Sequence, residues 1–151
     1  MKILFVCTGN TCRSCMAEAI FNNLCTLNNV TAASAGLSVV PKSKTSQNTA
    51  ILIKENYNLD ISNREAVQLT EEILKDSDLV LTMTSYIKDI LQNNFPNMKD
   101  KIYSLNEYVG VKGDVLDPYG GSIAIYRKTF ESLKNSILLL IDKLKEDKGA
   151  L

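Results

Sequence analysis

Short apolar runs alternate along this chain with longer segments in which apolar residues recur every three or four positions. The short runs are typical of buried β-strands, and the longer segments are typical of amphipathic helices. The clearest stripe lies in residues 123–146, where apolar side chains recur from Ile123 through Phe130 to Leu144. Candidate strands cover residues 2–6, 31–35, 79–83 and 101–105, and candidate helices cover residues 14–28, 45–57, 70–76, 85–94 and 123–146.

This alternation predicts an α/β fold in one domain, residues 1–151. Strands that are separated by helices form a mostly parallel sheet with helices on both faces. Ligands of such sheets bind beyond the carboxyl ends of the strands, and Cys7 follows directly after the first predicted strand. We interpret the polar stretch 42–47 as an ordinary surface loop.

The composition is that of an ordinary globular protein, with 45% hydrophobic and 23% charged residues. The 17 basic and 17 acidic residues cancel, which gives no support to nucleic acid or a membrane as a partner. No apolar stretch approaches the roughly 18 residues that span a bilayer. Residues 1–6 are too few for a signal peptide, so we expect a cytoplasmic protein.

The chain contains no histidine. This absence excludes Ser-His-Asp and Cys-His catalysis, and it removes a common zinc ligand and the commonest general acid. Any acid–base step near neutral pH must therefore use a carboxylate, a lysine, a tyrosine or a thiol.

All four cysteines, Cys7, Cys12, Cys15 and Cys25, lie close to the N-terminus. A secreted disulfide framework would distribute them along the chain. A four-thiolate zinc site is disfavoured because the spacing lacks two paired knuckles and because Arg13 would place a cation beside the metal. The C-x-x-C pair of Cys12 and Cys15 also permits dithiol–disulfide exchange, although none of the three prolines suggests the facing loop of such enzymes.

The segment Cys7–Ser14 carries the strongest chemical signal, because a thiol at a strand end is followed by a loop, an arginine and a serine. Backbone N–H groups of such a loop can surround a phosphate, and the following helix adds its positive N-terminal end. Arg13 can bind two phosphate oxygens at once, and the same field stabilises Cys7 as a thiolate. The segment predicts phosphoryl transfer through a cysteinyl-phosphate. The predicted phosphate-binding residues are Thr8, Gly9, Asn10, Thr11, Cys12, Arg13 and Ser14.

A second segment, Gly113–Ser122, supplies a candidate acid. Pro118 restricts Asp117 to an extended backbone, and the neighbouring glycines suit a loop that holds this carboxylate over a pocket. Without histidine, Asp117 is the predicted general acid, and it would then act as the base for a hydrolytic water. Asp114 is the rival carboxylate and lacks a following proline. Tyr119 is a candidate specificity residue, with simple packing as the alternative.

Taken together, these segments resemble the low-molecular-weight protein tyrosine phosphatase family. The matching residues follow one another over nearly the whole chain. They are Cys7–Ser14, Met16–Glu18, Ser34–Gly36, Asp78–Met83 and Asp117–Gly120. The resemblance implies a four-stranded parallel sheet flanked by helices, phosphorylated proteins as substrates, and a two-step mechanism that uses no metal or other cofactor.

The resemblance also implies individual roles in the catalytic site. Cys7 would be the nucleophile, Arg13 the phosphate clamp and Asp117 the general acid. Ser14 would donate a hydrogen bond to the Cys7 sulfur, which makes this sulfur a better leaving group in the second step. Asn10 would hold the loop in shape.

Thr11 directs the resemblance toward one bacterial branch of the family. The usual tyrosine phosphatases carry isoleucine at this position, whereas protein arginine phosphatases carry threonine. The segment Gly113–Ile123 is also closer to the arginine branch. A threonine hydroxyl can bond near a scissile P–N bond, whereas isoleucine provides an apolar wall for a phenyl ring. We therefore predict hydrolysis of phosphoarginine in proteins, with phosphotyrosine as the alternative substrate.

The cysteines bear on regulation and on the remaining alternatives. The resemblance makes Cys12 the thiol that forms a protective disulfide with Cys7. Cys15 departs from the family, which generally has proline there, and is a second candidate for redox chemistry. Thiol-dependent arsenate reductases use a similar loop to bind arsenate. They relay electrons through two further cysteines in the middle of the chain, and residues 26–151 contain no cysteine. A catalytically silent phosphate-binding module is a further alternative.

Overall fold

Four parallel strands form one sheet in the computed structural model, which describes residues 1–149. Their order is β2-β1-β3-β4, so β1 and β3 are the central strands. The predicted four-stranded parallel sheet is confirmed, and the last two residues of the predicted domain 1–151 lie outside the described residues. The strands are β1 (Lys2–Cys7), β2 (Thr31–Gly36), β3 (Leu79–Thr82) and β4 (Ile102–Ser104).

Helices cover both faces of the sheet, as predicted. The group α1, α2, α5 and α6 packs on one face, and α3 and α4 pack on the other. Within residues 1–149, no helix combines the length and the apolar character that crossing a membrane requires. The helices are α1 (Arg13–Leu24), α2 (Gln47–Tyr57), α3 (Glu71–Asp76), α4 (Ser85–Asn94), α5 (Leu105–Val109) and α6 (Ile123–Gly149).

Strand β1 divides its side chains between the two layers of the core. Ile3 and Phe5 belong to the apolar cluster under α1 and α6, whereas Leu4 and Val6 belong to the cluster under α3 and α4. This division arises because successive side chains of a strand point to opposite faces of the sheet. Since both faces are buried, the sequence of β1 is a continuous apolar run. The run ends at Cys7, which therefore emerges at the carboxyl edge of the sheet.

The sequence pattern missed two short elements and misplaced some boundaries. A 3-10 helix covers Pro96–Lys101, and α5 follows β4 directly, so the predicted strand 101–105 ends too late. The hydroxyl of Ser104 accepts the N–H of Glu107 at 3.3 Å and starts α5, because such a side chain satisfies a free donor at a helix start. A five-residue helix is too short to show a helical period. Helix α1 ends at Leu24 rather than at residue 28.

Candidate active site

The loop between β1 and α1 is fixed at several points of its backbone. The carbonyl oxygens of Cys7 and Thr8 each accept, at 2.9 Å, an N–H from the segment that follows β2. The carbonyl of Thr11 accepts the N–H of Ser46, also at 2.9 Å. Asn10 has a φ of 58°, a left-handed conformation that asparagine tolerates better than most residues. The loop therefore has a defined curved shape before any ligand binds.

Gly36 at the end of β2 allows this loop to pass close to the sheet. A β-carbon at position 36 would lie 2.7 Å from the carbonyl oxygen of Thr8 and 3.0 Å from the carbonyl carbon of Gly9. Both atoms belong to the backbone, which cannot turn aside as a flexible side chain can. The small residue at this position is therefore part of how the site is built.

The Cys7 sulfur lies at the centre of the loop and is buried. It is 2.8 Å from the hydroxyl oxygen of Ser14, and it accepts the backbone N–H of Asn10 at 3.2 Å. Two polar groups are therefore fixed beside the sulfur, and the nucleophilic form of a cysteine is its thiolate.

The fold brings Arg13 and Asp117 close together in space, although they are far apart in the sequence. Arg13 is buried and donates from Nη1 to the carbonyl of Val115 at 3.1 Å. Its Nη2 lies 3.7 Å from Oδ2 of Asp117. The other carboxylate oxygen of Asp117 accepts the N–H of Tyr119 at 3.0 Å. A buried cation thus faces a carboxylate that remains 55% exposed to solvent.

Asp114, the rival carboxylate, has a different place in the fold. Its Oδ1 accepts the N–H of Ser85 at 2.9 Å, and Ser85 is the first residue of α4. A carboxylate at a helix N-terminus satisfies a free N–H and complements the helix dipole. Asp114 therefore anchors a helix, whereas Asp117 lines the pocket described next.

A pocket of about 510 Å³ opens above the loop. Cys7 and residues 8–13 of the predicted phosphate-binding segment line it, whereas the buried Ser14 does not. Asp117 and Tyr119 line it as well, and Tyr119 is 80% exposed. Val40 and the segment 42–47, which we interpreted only as an ordinary surface loop, line another part of the pocket. The wall residues that the sequence did not indicate are Val40, Ser43, Lys44 and Ser46.

A sequence profile described as low molecular weight phosphotyrosine protein phosphatase matches residues 2–150. The chain belongs to this family. It is 42% identical over 151 residues to the protein-arginine-phosphatase of Bacillus subtilis (strain 168), with 98% of this chain and 99% of the relative covered. It is 44% identical over 145 residues to the low molecular weight protein-tyrosine-phosphatase PtpB of Staphylococcus haemolyticus, with coverages of 96% and 98%.

The fold agrees equally well with solved structures of this family. A mutant of the YwlE arginine phosphatase with a phosphorylated active-site serine matches with a TM-score of 0.90 and 42% identity. The match covers 97% of each chain. The family and the fold that the motifs indicated are therefore confirmed.

Two further thiols, those of Cys12 and Cys15, lie close to Cys7 in the sequence and are buried. The Cys12 sulfur lies 3.5 Å from the phenol oxygen of Tyr126, and burial, followed by this hydrogen bond, raises the pKa of Tyr126 to about 12. The Cys15 thiol donates to the carbonyl of Cys12 at 3.4 Å, and burial raises the pKa of Cys15 well above its usual range. All four cysteines are free, and no metal-binding cluster occurs within the described part of the chain.

Arg64 is the site-supporting residue that sequence reasoning missed. Its Nη1 donates to Oδ1 of Asn10 at 3.0 Å, and its Nη2 donates to Oγ of Ser34 at 2.8 Å. The same guanidinium lies 3.3 Å from Oε1 of Glu18. Ser34 and Glu18 belong to segments that carried the family resemblance, but Arg64 lies in a loop without any such signal.

Proposed function

We propose that this chain is a protein phosphatase that hydrolyses phosphoarginine in proteins through a cysteinyl-phosphate intermediate. The observation that carries this proposal is the pocket in which Cys7, Arg13, Asp117 and Thr11 meet. The 42% identity to a protein-arginine-phosphatase over nearly all of both chains supports the substrate.

In the first step, the Cys7 thiolate attacks the phosphorus atom and forms an S–P bond while the P–N bond breaks. The Arg13 guanidinium and the N–H groups of the loop 8–12 hold the phosphoryl oxygens, and fixed donors of this kind stabilise charge that develops in the transition state. Asp117 gives a proton to the departing guanidino nitrogen. The arginine side chain leaves with its normal structure restored.

In the second step, a water molecule attacks the phosphorus atom of the cysteinyl-phosphate. Asp117, now ionised, accepts a proton from this water. The S–P bond breaks, inorganic phosphate leaves, and the Cys7 sulfur departs as a thiolate. The Ser14 hydroxyl, 2.8 Å away, would stabilise the charge on that sulfur.

Thr11→Ile tests the choice of substrate. The new side chain removes a hydroxyl and gives the pocket a larger apolar wall. We expect kcat/KM to fall for a phosphoarginine peptide and to rise for the matched phosphotyrosine peptide. Loss of a polar partner can discriminate more strongly than the roughly 1–3 kcal/mol of one methylene, so tenfold or larger opposite changes are expected in parallel assays of both peptides.

Thr11→Val provides the control for size, because it removes the hydroxyl without the larger side chain. If the hydroxyl recognises the guanidino group, Thr11→Val loses phosphoarginine activity, whereas Thr11→Ser retains it. An equal loss of both activities in Thr11→Ile would show that Thr11 only shapes the loop. No turnover of phosphoarginine by the unmodified protein would refute the proposed substrate itself.

Phosphotyrosine is the second candidate substrate. The 44% identity to a relative named as a protein-tyrosine-phosphatase favours it, and so does the exposed ring of Tyr119 at the pocket wall. A phenyl ring in the pocket could stack against this side chain. The paired peptide assays decide between the two candidates.

Oxidation of the site should be reversible through Cys12. Peroxide converts the Cys7 thiolate to a sulfenic acid, and attack by a neighbouring thiol releases water and forms a disulfide. Cys15 is a poor partner because its raised pKa keeps it protonated at neutral pH, and only the thiolate is an effective nucleophile. We therefore expect a Cys7–Cys12 disulfide, detected by mass spectrometry, and recovery of activity with dithiothreitol.

Two single variants identify the trapping thiol. Cys12→Ser should lose activity irreversibly at a peroxide dose from which the unmodified protein recovers. Cys15→Ser should recover normally. Equal recovery of Cys12→Ser and the unmodified protein would contradict the assignment.

The proposed partners are phosphorylated proteins rather than nucleic acid or a membrane. A formal net charge of zero supports this choice, because partners with many phosphate groups are held by an excess of basic residues. We also propose a cytoplasmic location, since four free thiols are typical of a reducing compartment.

A further inference from the structure

We infer that Lys44 gives the pocket a preference for proteins that carry an acidic side chain next to the phosphorylated residue. This inference rests on the proposed function, because it concerns which phosphorylated proteins the same site accepts. Lys44 is then a specificity residue that contacts the substrate chain beside the phosphoryl group.

The charges that line the pocket do not balance. Three of the described lining residues are charged, namely Arg13, Lys44 and Asp117. Arg13 and Asp117 face each other at 3.7 Å. Among the described residues, no carboxylate lies within ion-pair distance of Lys44. The pocket therefore offers one positive charge that the described part of the chain does not neutralise.

The ammonium group of Lys44 is available to a ligand. The residue is exposed, and among the described residues its Nζ makes one hydrogen bond, to the carbonyl of Asn63 at 3.5 Å. This distance is at the upper limit for a hydrogen bond. A bond between an ammonium group and a carboxylate is shorter and stronger than one to a neutral carbonyl, so a carboxylate of the substrate can replace this contact.

The backbone on both sides of Lys44 is fixed. The carbonyl of Ser43 accepts the N–H of Ala66 at 2.8 Å, and the N–H of Thr45 donates to the carbonyl of Arg64 at 3.2 Å. These two bonds hold Lys44 against the neighbouring segment, so its side chain starts from a defined place at the pocket.

The same segment is tied to the phosphate-binding loop. The N–H of Ser46 donates to the carbonyl of Thr11 at 2.9 Å, and the Ser46 hydroxyl caps α2. The Cα of Lys44, two residues earlier, is therefore held relative to the residues that bind the phosphate. Its flexible four-carbon stem can still follow a charge on the substrate.

The two basic residues of the pocket suit different anions. Arg13 is buried, and its planar fork matches two phosphoryl oxygens. Lys44 is an exposed point charge, which suits a carboxylate whose position varies between substrates. The large exposed side chains of Val40 and Tyr119 carry no charge. Since the formal net charge of the protein is zero, a preference for acidic sequences depends on such a local charge.

Phosphoarginine peptides that differ in one neighbouring residue test the inference. Glutamate or lysine is placed in turn at the two positions before and the two positions after the phosphoarginine, and kcat/KM is measured for each pair of peptides. The enzymes compared are the unmodified protein, Lys44→Glu and the control Lys145→Glu.

Lys145→Glu changes the net charge by the same amount as Lys44→Glu, far from the pocket. Lys145 is exposed and lies about 28 Å farther along α6 than Tyr126, at about 1.5 Å per residue. Tyr126 contacts the sulfur of Cys12 in the phosphate-binding loop. A charge at this distance is screened from the pocket by salt.

At one of the tested positions, the unmodified protein should prefer the glutamate peptide to the lysine peptide by about tenfold at low salt. Attraction of one peptide and repulsion of the other each contribute about threefold, the size of one exposed ion pair. Lys44→Glu should reverse the preference, and Lys145→Glu should retain it. The preference should lie in KM rather than kcat, and high salt should weaken it.

The measured preference is a ratio between two peptides with the same phosphoryl group. Partial unfolding of a variant, or a general loss of phosphate affinity, lowers both rates equally and leaves this ratio unchanged. If Lys44→Glu leaves the ratio unchanged at every position, Lys44 only supports the pocket or attracts the phosphoryl group, and the inference is wrong.

The same peptides with phosphotyrosine in place of phosphoarginine separate this inference from the proposed substrate. If only the phosphotyrosine peptides are hydrolysed and Lys44→Glu reverses the preference among them, the proposed substrate is refuted and the inference stands. Hydrolysis of the phosphoarginine peptides without a reversal would refute the inference and leave the proposed substrate intact.

Discussion

Cys7→Ser is expected to abolish steady-state turnover while the pocket still binds phosphate. A serine hydroxyl is a much weaker nucleophile than a thiolate, and it is a poorer leaving group when water attacks the phosphorylated enzyme. Removal of the nucleophile in a covalent enzyme costs on the order of 10⁶-fold in kcat. The mutant YwlE structure with a phosphorylated active-site serine shows that such a serine can carry a phosphoryl group in a relative.

Phosphate binding should survive in Cys7→Ser because its main donors remain. Arg13 stays anchored to the carbonyl of Val115, and the backbone of the loop is held by contacts that do not involve the sulfur. Titration of Cys7→Ser with inorganic phosphate, followed by calorimetry, measures phosphate binding and tests this half of the prediction. Cys25→Ser is the control, since this partly exposed thiol lies outside the pocket. Normal turnover by Cys7→Ser would end the covalent mechanism.

Asp117→Asn is expected to lower kcat by roughly 10²–10⁴-fold, the usual contribution of a positioned acid or base. The amide cannot give a proton to the leaving nitrogen or accept one from water. The loss should be smaller for aryl phosphates with acidic leaving groups, because these depart with little protonation. Steady-state assays over a series of aryl phosphates would reveal this dependence.

Asp114→Asn is the matched control for this experiment. Its carboxylate accepts the first N–H of α4, so its loss should lower the melting temperature slightly and leave the leaving-group dependence unchanged. If Asp114→Asn, rather than Asp117→Asn, lowers kcat in a manner that depends on the leaving group, the general acid has been assigned to the wrong residue.

The sequence alone was sufficient to predict those elements whose formation depends on a short stretch of neighbouring residues. The apolar run before Cys7 is long enough to identify a doubly buried strand, and Thr70 begins α3 as a side-chain cap. The segment Cys7–Ser14 contains its thiol, its loop and its arginine in one continuous stretch. Its curvature and its chemistry could therefore be predicted without knowledge of the rest of the chain.

Only the tertiary structure showed how the distant parts of the site meet and which unpredicted residues support it. Arg13 and Asp117 are far apart in sequence, and their approach to 3.7 Å depends on the order of the parallel strands. Lys44 and Arg64 come from polar loops whose composition resembles any solvated surface. A hydrophobic period cannot indicate such residues, because hydrogen bonds of a guanidinium or a pocket wall depend on positions in space that no local pattern encodes.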